Sequence, residues 1–512
     1  MATACGLRMY VDLDSSSDGS HAVRRSTTLL EISVPIRQIR WQNFRAFRDT
    51  GWLTLRPITV LIGPNNSGKS SAIAPLLILK QTLESGRAQS PLVIRGELAD
   101  AGSFADLIHT HDPNGKMTLS LRFHPPVNDG QDMPDLGVDP PAGCDLTFQA
   151  AKAAGIINLT QFVVVDGFNR PMLVRKKRTS GGGGYSLDVI NQWADSDDDP
   201  ALKDSVSEGA ARQAIRRAKP DHFLFSGTEV LAAAMRSLIE PANRQSGDSP
   251  ETQPSFRGLG EIEFSSFVSR YLLVVSYTEQ HVTGMLNNLV YLGPLRDDPK
   301  RLYDISGDAP ADVGVRGEFS PEILLRNVKQ PLFKQVSRWM QRFGMPGVLT
   351  CRKATETAFS LVLEQDGKDT NFADIGFGFS QLLPLVVQGL TAEKDTLLIT
   401  EQPEIHLNPA LQTQLAGFFV EMTKRGVSIL AETHSEHLIL SLRTLIAQGA
   451  IQAEDVAIYF VERTGETSTI KDVPLKPNGH IEQSDWPSGF FEDSLKESFA
   501  LASAQMRRRD AE

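Results

Sequence analysis

The chain has 512 residues, 41% of them hydrophobic, a formal net charge of −10 and three cysteines. That length can bury a large core in about two domains, and Cys5, Cys144 and Cys351 are too far apart in the chain for a disulfide framework or metal-ligand spacing, which fits a reducing cytosol. The acidic balance excludes indiscriminate coating of nucleic acid, though not a local basic groove, and no apolar run reaches the length of a membrane span.

Residues 1–35 carry Asp12, Asp14 and a Ser-Ser-Ser-Asp-Gly-Ser run, and read as a flexible polar arm, neither a secretory nor a transit signal. Ile36 to Phe47 alternates as strand and turn, and Trp52 opens another strand. The apolar run Ile58-Thr-Val-Leu-Ile62 follows, then Gly63-Pro64-Asn65-Asn66-Ser67-Gly68-Lys69-Ser70, then Ser71 and a helical pattern from Ala72 to Leu79. The octet fills G-x-x-x-x-G-K-[ST] between a strand and a helix, which is the context a P-loop needs. Its glycines let successive backbone N–H groups turn toward phosphate oxygens, and the helix N-terminus adds positive potential. In such a loop Lys69 reaches the β- and γ-phosphates and the Ser70 hydroxyl ligates Mg²⁺. The competing reading, a Gly-rich turn with an incidental lysine, leaves the full octet and both flanks unexplained. The implied ligands are ATP and Mg²⁺.

Met117 to Phe123 alternates as a strand. Residues 125–199 are rich in Gly, Pro and Asp, with Gly181 to Gly184 and Asp197 to Asp199 as punctuation, and 200–280 look largely helical around a polar stretch from Asn243 to Pro254. The expected organisation is a nucleotide-binding domain in two parts, 36–124 and 286–492. A large, mainly helical insertion over 125–285 divides it, and a charged tail spans 493–512. In the second part, strands are expected at Thr357–Glu364, Thr396–Thr400, Val427–Ala431 and Val456–Val461, and helices at Gln381–Leu390, Pro409–Lys424 and Ser435–Gln448. That alternation predicts an α/β P-loop fold whose mostly parallel sheet is flanked by helices.

Three segments bear on chemistry. Leu397-Leu-Ile-Thr-Glu401-Gln402-Pro403-Glu404 is a buried strand ending in a carboxylate, so Glu401 would emerge beside the P-loop and hold the Mg²⁺ shell. A strand that ends in a polar loop is common, and it is the P-loop in the same chain that gives this one meaning. Gly376-Phe-Gly378-Phe-Ser380-Gln381 opens a helix and presents N–H groups and a hydroxyl to an anion; an ordinary helix start capped by Ser380 is the plainer alternative. His434 ends another apolar strand, within reach of a γ-phosphate; a lone strand-terminal histidine is otherwise a structural hydrogen-bonding group. Basic clusters at Arg175–Arg178, Arg212–Lys219 and Arg507–Arg509 are solvated faces or contacts for nucleic acid or a partner.

The order of P-loop, Gly-Ser-Gln turn, strand-terminal acid, His406-Leu-Asn-Pro409 and strand-terminal His resembles the ABC-type ATPases of the SMC, RecF and OLD groups. Within them the chain is most similar to predicted ATPases that share Tyr291-Leu-Gly-Pro-Leu-Arg296, the Glu401-Gln-Pro-Glu404 acid motif and Asp485-Trp-Pro-Ser-Gly-Phe-Phe491. The resemblance covers 36–124 and 290–492 and implies several things. Gly376–Gln381 would be a degenerate signature motif, so that Gly378, Ser380 and Gln381 complete the phosphate site of a second subunit in a homodimer. Glu401 would be the Walker B acid, with Ser70 as its companion metal ligand, and His434 the switch histidine. An effector protein partner, a cytoplasmic location and a role in prokaryotic antiphage defence are further implications, with RecF-like DNA repair and an ATP-clamped scaffold as alternatives. The chain departs from the pattern at Gln402, where relatives carry the general base. A neutral amide orients water but accepts its proton poorly. Hydrolysis is therefore expected to be slow, with Glu404 as the candidate substitute, reached through an extended Gln402–Pro403 step.

Overall fold

The computed structural model describes residues 34–86, 90–124, 139–151, 156–178, 185–189, 206–228, 230–232, 266–305, 309–482 and 484. The C-terminal Asp485–Phe491 motif, the tail, the residues before 34 and the Arg507–Arg509 cluster lie outside these. In chain order the described elements begin with β1 (Gln38–Phe44), β2 (Phe47–Asp49), β3 (Leu53–Thr54), β4 (Ile58–Ile62), α1 (Lys69–Glu84) and the one-turn α2 (Phe104–Leu107). Next come β5 (Lys116–Arg122), β6 (Pro141–Ala150), β7 (Ile157–Asp166), β8 (Pro171–Lys177), β9 (Tyr185–Val189), α3 (Val206–Arg217) and α4 (Ser266–Asn287). Then follow β10 (Leu289–Leu292), β11 (Tyr303–Asp304), α5 (Ser320–Arg326), α6 (Pro331–Arg342), β12 (Val348–Lys353), β13 (Ala358–Gln365), β14 (Lys368–Asn371) and α7 (Phe377–Thr391). The series ends with β15 (Leu397–Glu401), α8 (Pro409–Lys424), β16 (Ser428–Glu432), α9 (Glu436–Ala447), β17 (Val456–Thr464) and β18 (Thr467–Asp472).

One sheet runs β10-β15-β16-β4-β17-β18, parallel except for the last pair. Its strands β4, β15 and β16 are buried at every position, as a sheet covered on both faces requires. Alternate residues serve the two sides. Leu61, Ile399, Leu430 and Tyr459 join one core, while Val60, Ile62, Leu398, Ile429 and Ile458 join the other. The second core is closed by apolar faces of α6, α7, α8 and α9. A smaller antiparallel sheet, β11-β13-β12 with β14 beside β13, packs at that side.

The first core lies between the parallel sheet and an antiparallel one of order β2-β1-β5-β6-β7-β8-β9, with β3 paired to β1. Helix α1 fills this space and is buried from Ala72 to Thr82. This explains why its sequence is apolar on all sides, the pattern of a helix enclosed by protein. It also carries Pro75, which forgoes one helical hydrogen bond. Trp41 of β1, fully buried, donates from Nε1 to Ala72 O at 2.7 Å and so ties the antiparallel sheet to the first turns of α1. On the other side Tyr459 of β17 bonds both the N–H and the carbonyl of Thr54.

The span expected as a mainly helical insertion is different in its first half. Residues 141–189 form β6 to β9, which continue the sheet begun by β1 and β5, with Met117 opposite Phe148 and Leu121 opposite Cys144. Helical expectation holds for α3 and α4. In the basic cluster at 175–178, Lys176 and Arg178 are exposed, but Arg175 is not a surface group. Arg175 is fully buried, and its guanidinium donates to Ile215 O at 2.8 Å, to Tyr271 Oη at 3.1 Å and to Ala218 O at 3.2 Å, over the Phe225 ring. It therefore caps the C-terminal end of α3, where the helix dipole favours a cation. Truncating Arg175→Ala would leave two carbonyls and a hydroxyl buried without a donor. A loss of about 2–4 kcal/mol is expected, read as a lower midpoint in thermal or urea unfolding of the full chain.

Candidate nucleotide site

Strand β4 ends at Ile62 and the chain turns through Gly63 at φ +146°, where a Cβ would lie 2.1 Å from Val461 O. Neither the conformation nor the space admits another residue. Asn66 and Gly68 also have positive φ, and Gly68 begins α1 without a side-chain cap; the first turn holds no acid. The helix N-terminus is thus left to an external anion. Pro64, Asn65, Asn66 and Ser70 are exposed, while Lys69 is 3% exposed. Its ammonium is curled back onto loop carbonyls, donating to Gly63 O at 3.1 Å and Pro64 O at 2.8 Å. Burial lowers its pKa against the pull of Glu432, Glu404 and Glu401.

The parallel register sets Glu401 and Glu432 side by side as the last residues of β15 and β16. Glu401 accepts from Tyr291 Oη at 2.9 Å. Glu432 accepts from Ser70 Oγ at 2.7 Å and lies 3.9 Å from Lys69 Nζ. Burial raises the pKa of both carboxyls; Glu432, with the Glu401 charge adding to burial, is pushed up to about 7. Glu404, also raised by burial, accepts the His434 backbone N–H at 2.7 Å, and its Oε2 is buried without a protein partner. Arg296 is buried behind them, donating to Gln381 O at 2.9 Å and reaching Glu401 O at 3.5 Å; burial lowers its pKa to about 10. His434 is half-buried, and burial together with Lys69 lowers its pKa.

The chain after Glu401 does not stay extended as expected. Gln402 has φ +46°, its N–H donates to Glu432 O at 2.7 Å, and Ile405 N–H closes a turn onto Gln402 O at 3.1 Å. The turn folds Glu404 back under the His434 segment. Structure thus gathers Gly63 to Ser71, Glu401, Gln402, Glu404 and His434 around one loop. Gly378, Ser380 and Gln381 do not touch the loop, and Gln381 is linked to Glu401 through Arg296. Among the described residues no hydrogen bond or ion pair joins them to the P-loop, and Ser380 Oγ donates to Phe377 O within its own turn rather than capping α7, whose first flank is Gly376. Gly378 is held close to the His406 carbonyl, 2.8 Å from where a Cβ would stand. Sequence reasoning passed over three groups. Tyr291 and Arg296 were noted only as part of a shared motif, and Glu432 was not singled out. Its signal was available, since Ile429-Leu-Ala-Glu432 ends a buried strand in an acid just as Leu397-Leu-Ile-Thr-Glu401 does.

ATP and Mg²⁺ fit this donor set. The phosphate side offers an uncapped helix start, a lysine and the buried, unpartnered Ser67 Oγ; the metal side offers the Ser70 hydroxyl beside two crowded carboxylates, oxygen donors suited to a hard divalent ion.

A P-loop on a parallel sheet, with strand-terminal acids beside it, defines a P-loop nucleotide-binding fold. In particular, residues 35–177 match the family described as "AAA ATPase domain" and residues 250–441 the one described as "AAA domain, putative AbiEii toxin, Type IV TA system". Residues 451–501 match "Protein of unknown function (DUF3696)". No curated protein matches the chain. Solved structures similar to it include an SMC head bound to the C-winged helix domain of ScpA, at 13% identity and TM-score 0.37 over 86% of this chain and 98% of that one. The SMC head domain from Thermotoga maritima is 13% identical, TM-score 0.34, over 86% and 99% of the two chains. An SMC head with an extended coiled coil bound to the C-terminal domain of ScpA, from Pyrococcus furiosus, is 11% identical, TM-score 0.34, over 86% and 96%.

Gly63→Ala is expected to strain the loop and displace the Val461 carbonyl. The loss should be about 1–3 kcal/mol, typical of overpacking, and measurable as a lower unfolding midpoint.

Proposed function

We propose that the chain is an ABC-type ATPase whose nucleotide state drives a conformational or assembly change, with slow hydrolysis. The observation that carries this reading is the meeting of Lys69 and Ser70 with strand-terminal Glu401 and Glu432 at the mouth of the P-loop. Residues 63–71 would hold the triphosphate, with Lys69 released from its loop carbonyls onto the phosphates. Ser70 and Glu401 would hold Mg²⁺, which when bound neutralises phosphate charge. Tyr291 fixes the Glu401 carboxylate by its hydrogen bond. Gln402 orients water without taking its proton, which keeps turnover low. Glu404 positions the His434 segment through its backbone bond, and its second oxygen stays available as a substitute base.

The signature-like turn supports association of two heads. Gly376 and Phe377 at the start of this turn are exposed and Gly378 is half-buried, whereas Ser380 is buried and bonds Phe377 O, so its hydroxyl must turn outward to meet a second copy. In the proposed homodimer Gly378 and Ser380 close the phosphate site of the second copy. The larger biological role, a switch acting with a separate effector in cytoplasmic antiphage defence, rests on sequence resemblance and on the similarity of residues 250–441 to a family of putative AbiEii toxins. A clamped scaffold is the second reading, and Gln402 at the base position favours it. RecF-like DNA binding is a third, for which exposed Arg216 and Arg217 are available.

Lys69→Ala should weaken ATP binding by about 2–5 kcal/mol, as truncating one partner of a buried, hydrogen-bonded charge pair does in binding. Equilibrium titration with a fluorescent ATP analogue checks this, and unchanged affinity in a folded variant would remove the P-loop assignment. Gln402→Glu should raise the single-turnover hydrolysis rate by about tenfold or more, with the 10²–10⁴ that general-base assistance supplies as its ceiling. An unchanged rate would mean that the amide is not what keeps the enzyme slow.

A further inference from the structure

We infer that Glu432 is a second carboxylate ligand of the divalent cation at this site, supplying the negative charge that Gln402 lacks. The inference rests on the nucleotide-site reading above and extends it to a residue to which the resemblance assigns no role.

Position is the first argument. In the sheet order β15-β16-β4, the strand carrying Glu432 lies directly beside the P-loop strand, with Glu432 opposite Leu61, whereas Glu401 is one strand further away. The second is contact. Ser70, the hydroxyl that a P-loop gives to the metal, donates to Glu432 Oε2 at 2.7 Å, while Glu432 Oε1 stands 3.9 Å from Lys69 Nζ. The third is charge. Glu401, Glu404 and Glu432 are each 9% exposed or less, and Lys69 and Arg296 are the cations set against them. Arg296 spends its hydrogen bonds on the carbonyls of Gln381 and Glu401. Buried carboxylates short of cations are costly unless they are neutralised, by a proton or by a coordinated metal. Two further buried oxygens here lack a protein partner, Ser67 Oγ in the loop and Glu404 Oε2 beneath it. A hard divalent ion takes oxygen ligands of this kind, from hydroxyl and carboxylate, directly or through water.

A plain latch offers the rival account, in which Glu432 only pins Ser70 and the start of α1. The two differ in what metal does. The experiment uses the full-length chain with a non-hydrolysable ATP analogue, and reads Mn²⁺ affinity by electron paramagnetic resonance alongside nucleotide affinity in EDTA. In Glu432→Gln, nucleotide binding in EDTA should be kept or tightened, because a carboxylate facing Lys69 and the phosphates is neutralised, while Mn²⁺ affinity of the nucleotide complex falls about 10–100-fold, the range for disturbing a metal's ligand shell. Glu432→Asp keeps the charge but shortens the reach, and should fall between the two. Wild-type Mn²⁺ affinity in folded Glu432→Gln would overturn the assignment. If Glu432→Gln does not fold, Glu432→Asp decides: unchanged Mn²⁺ affinity overturns the assignment and a several-fold loss upholds it. Failure of the wild-type chain to bind nucleotide in EDTA and in Mn²⁺ alike would overturn both this inference and the nucleotide-site reading. Intact binding with unaltered Mn²⁺ affinity in the variants overturns this inference alone.

Discussion

Three buried carboxylates face two buried cations, Lys69 and Arg296, beside the P-loop, and the surrounding elements supply donors to offset that imbalance. Lys69 sits against Glu432 and within the field of Glu401 and Glu404. Desolvation alone would push such acids toward their neutral forms. The protein offsets this with placed dipoles: Tyr291 Oη and Ser70 Oγ donate to Glu401 and Glu432, and the His434 N–H donates to Glu404. These donors come from β10, α1 and the turn after β16, so the geometry of the charges depends on the strand register of the whole parallel sheet.

Helix α1 shares the core that covers one face of that sheet. The helix is enclosed between two sheets of different construction, one parallel and one antiparallel. Trp41 fixes its first turns from one side. Lys80 reaches the carbonyls of Leu286 and Asn287 at the end of α4 from the other end, at 3.4 Å each. A helix anchored at both ends keeps its N-terminus, and the loop before it, in a fixed place for an anion. Enclosure on all sides also explains how α1 tolerates Pro75, because tertiary packing outweighs a local helix penalty of about 3 kcal/mol.

Legibility in the sequence followed locality. The octet from Gly63 to Ser70 could be read because its chemistry lies in consecutive residues between a strand and a helix. Strands β15, β16 and β17 and helix α8 could be read because each is a compact apolar run between breakers. Strands β6 to β9 could not, because Gly- and Pro-rich linkers interrupt them and their stability comes from pairing with β5 and with one another. The same holds within the site. Glu401 was visible as a strand-terminal acid followed by Gln402-Pro403-Glu404. That Glu432 stands nearer to the P-loop depends on strand order, which no local pattern encodes. The turn at Gln402 escaped as well: a proline at 403 argues for an extended predecessor, yet a left-handed residue is stabilised there by the Glu432 carbonyl.

Strand β4 lies between β16 and β17, so a segment ending at residue 62 pairs on both sides with segments that begin at residues 428 and 456. During synthesis the P-loop strand therefore emerges long before either neighbour exists. The antiparallel sheet, whose strands lie within residues 38–189, can assemble first and hold α1 by Trp41 while the rest is made. Pairings this distant in sequence are slow to close. Until they do, the face of α1 that belongs against the parallel sheet is open to solvent or to a chaperone. The P-loop strand is consequently among the last to be paired, and the proposed nucleotide site is complete only once the chain has been made through β17.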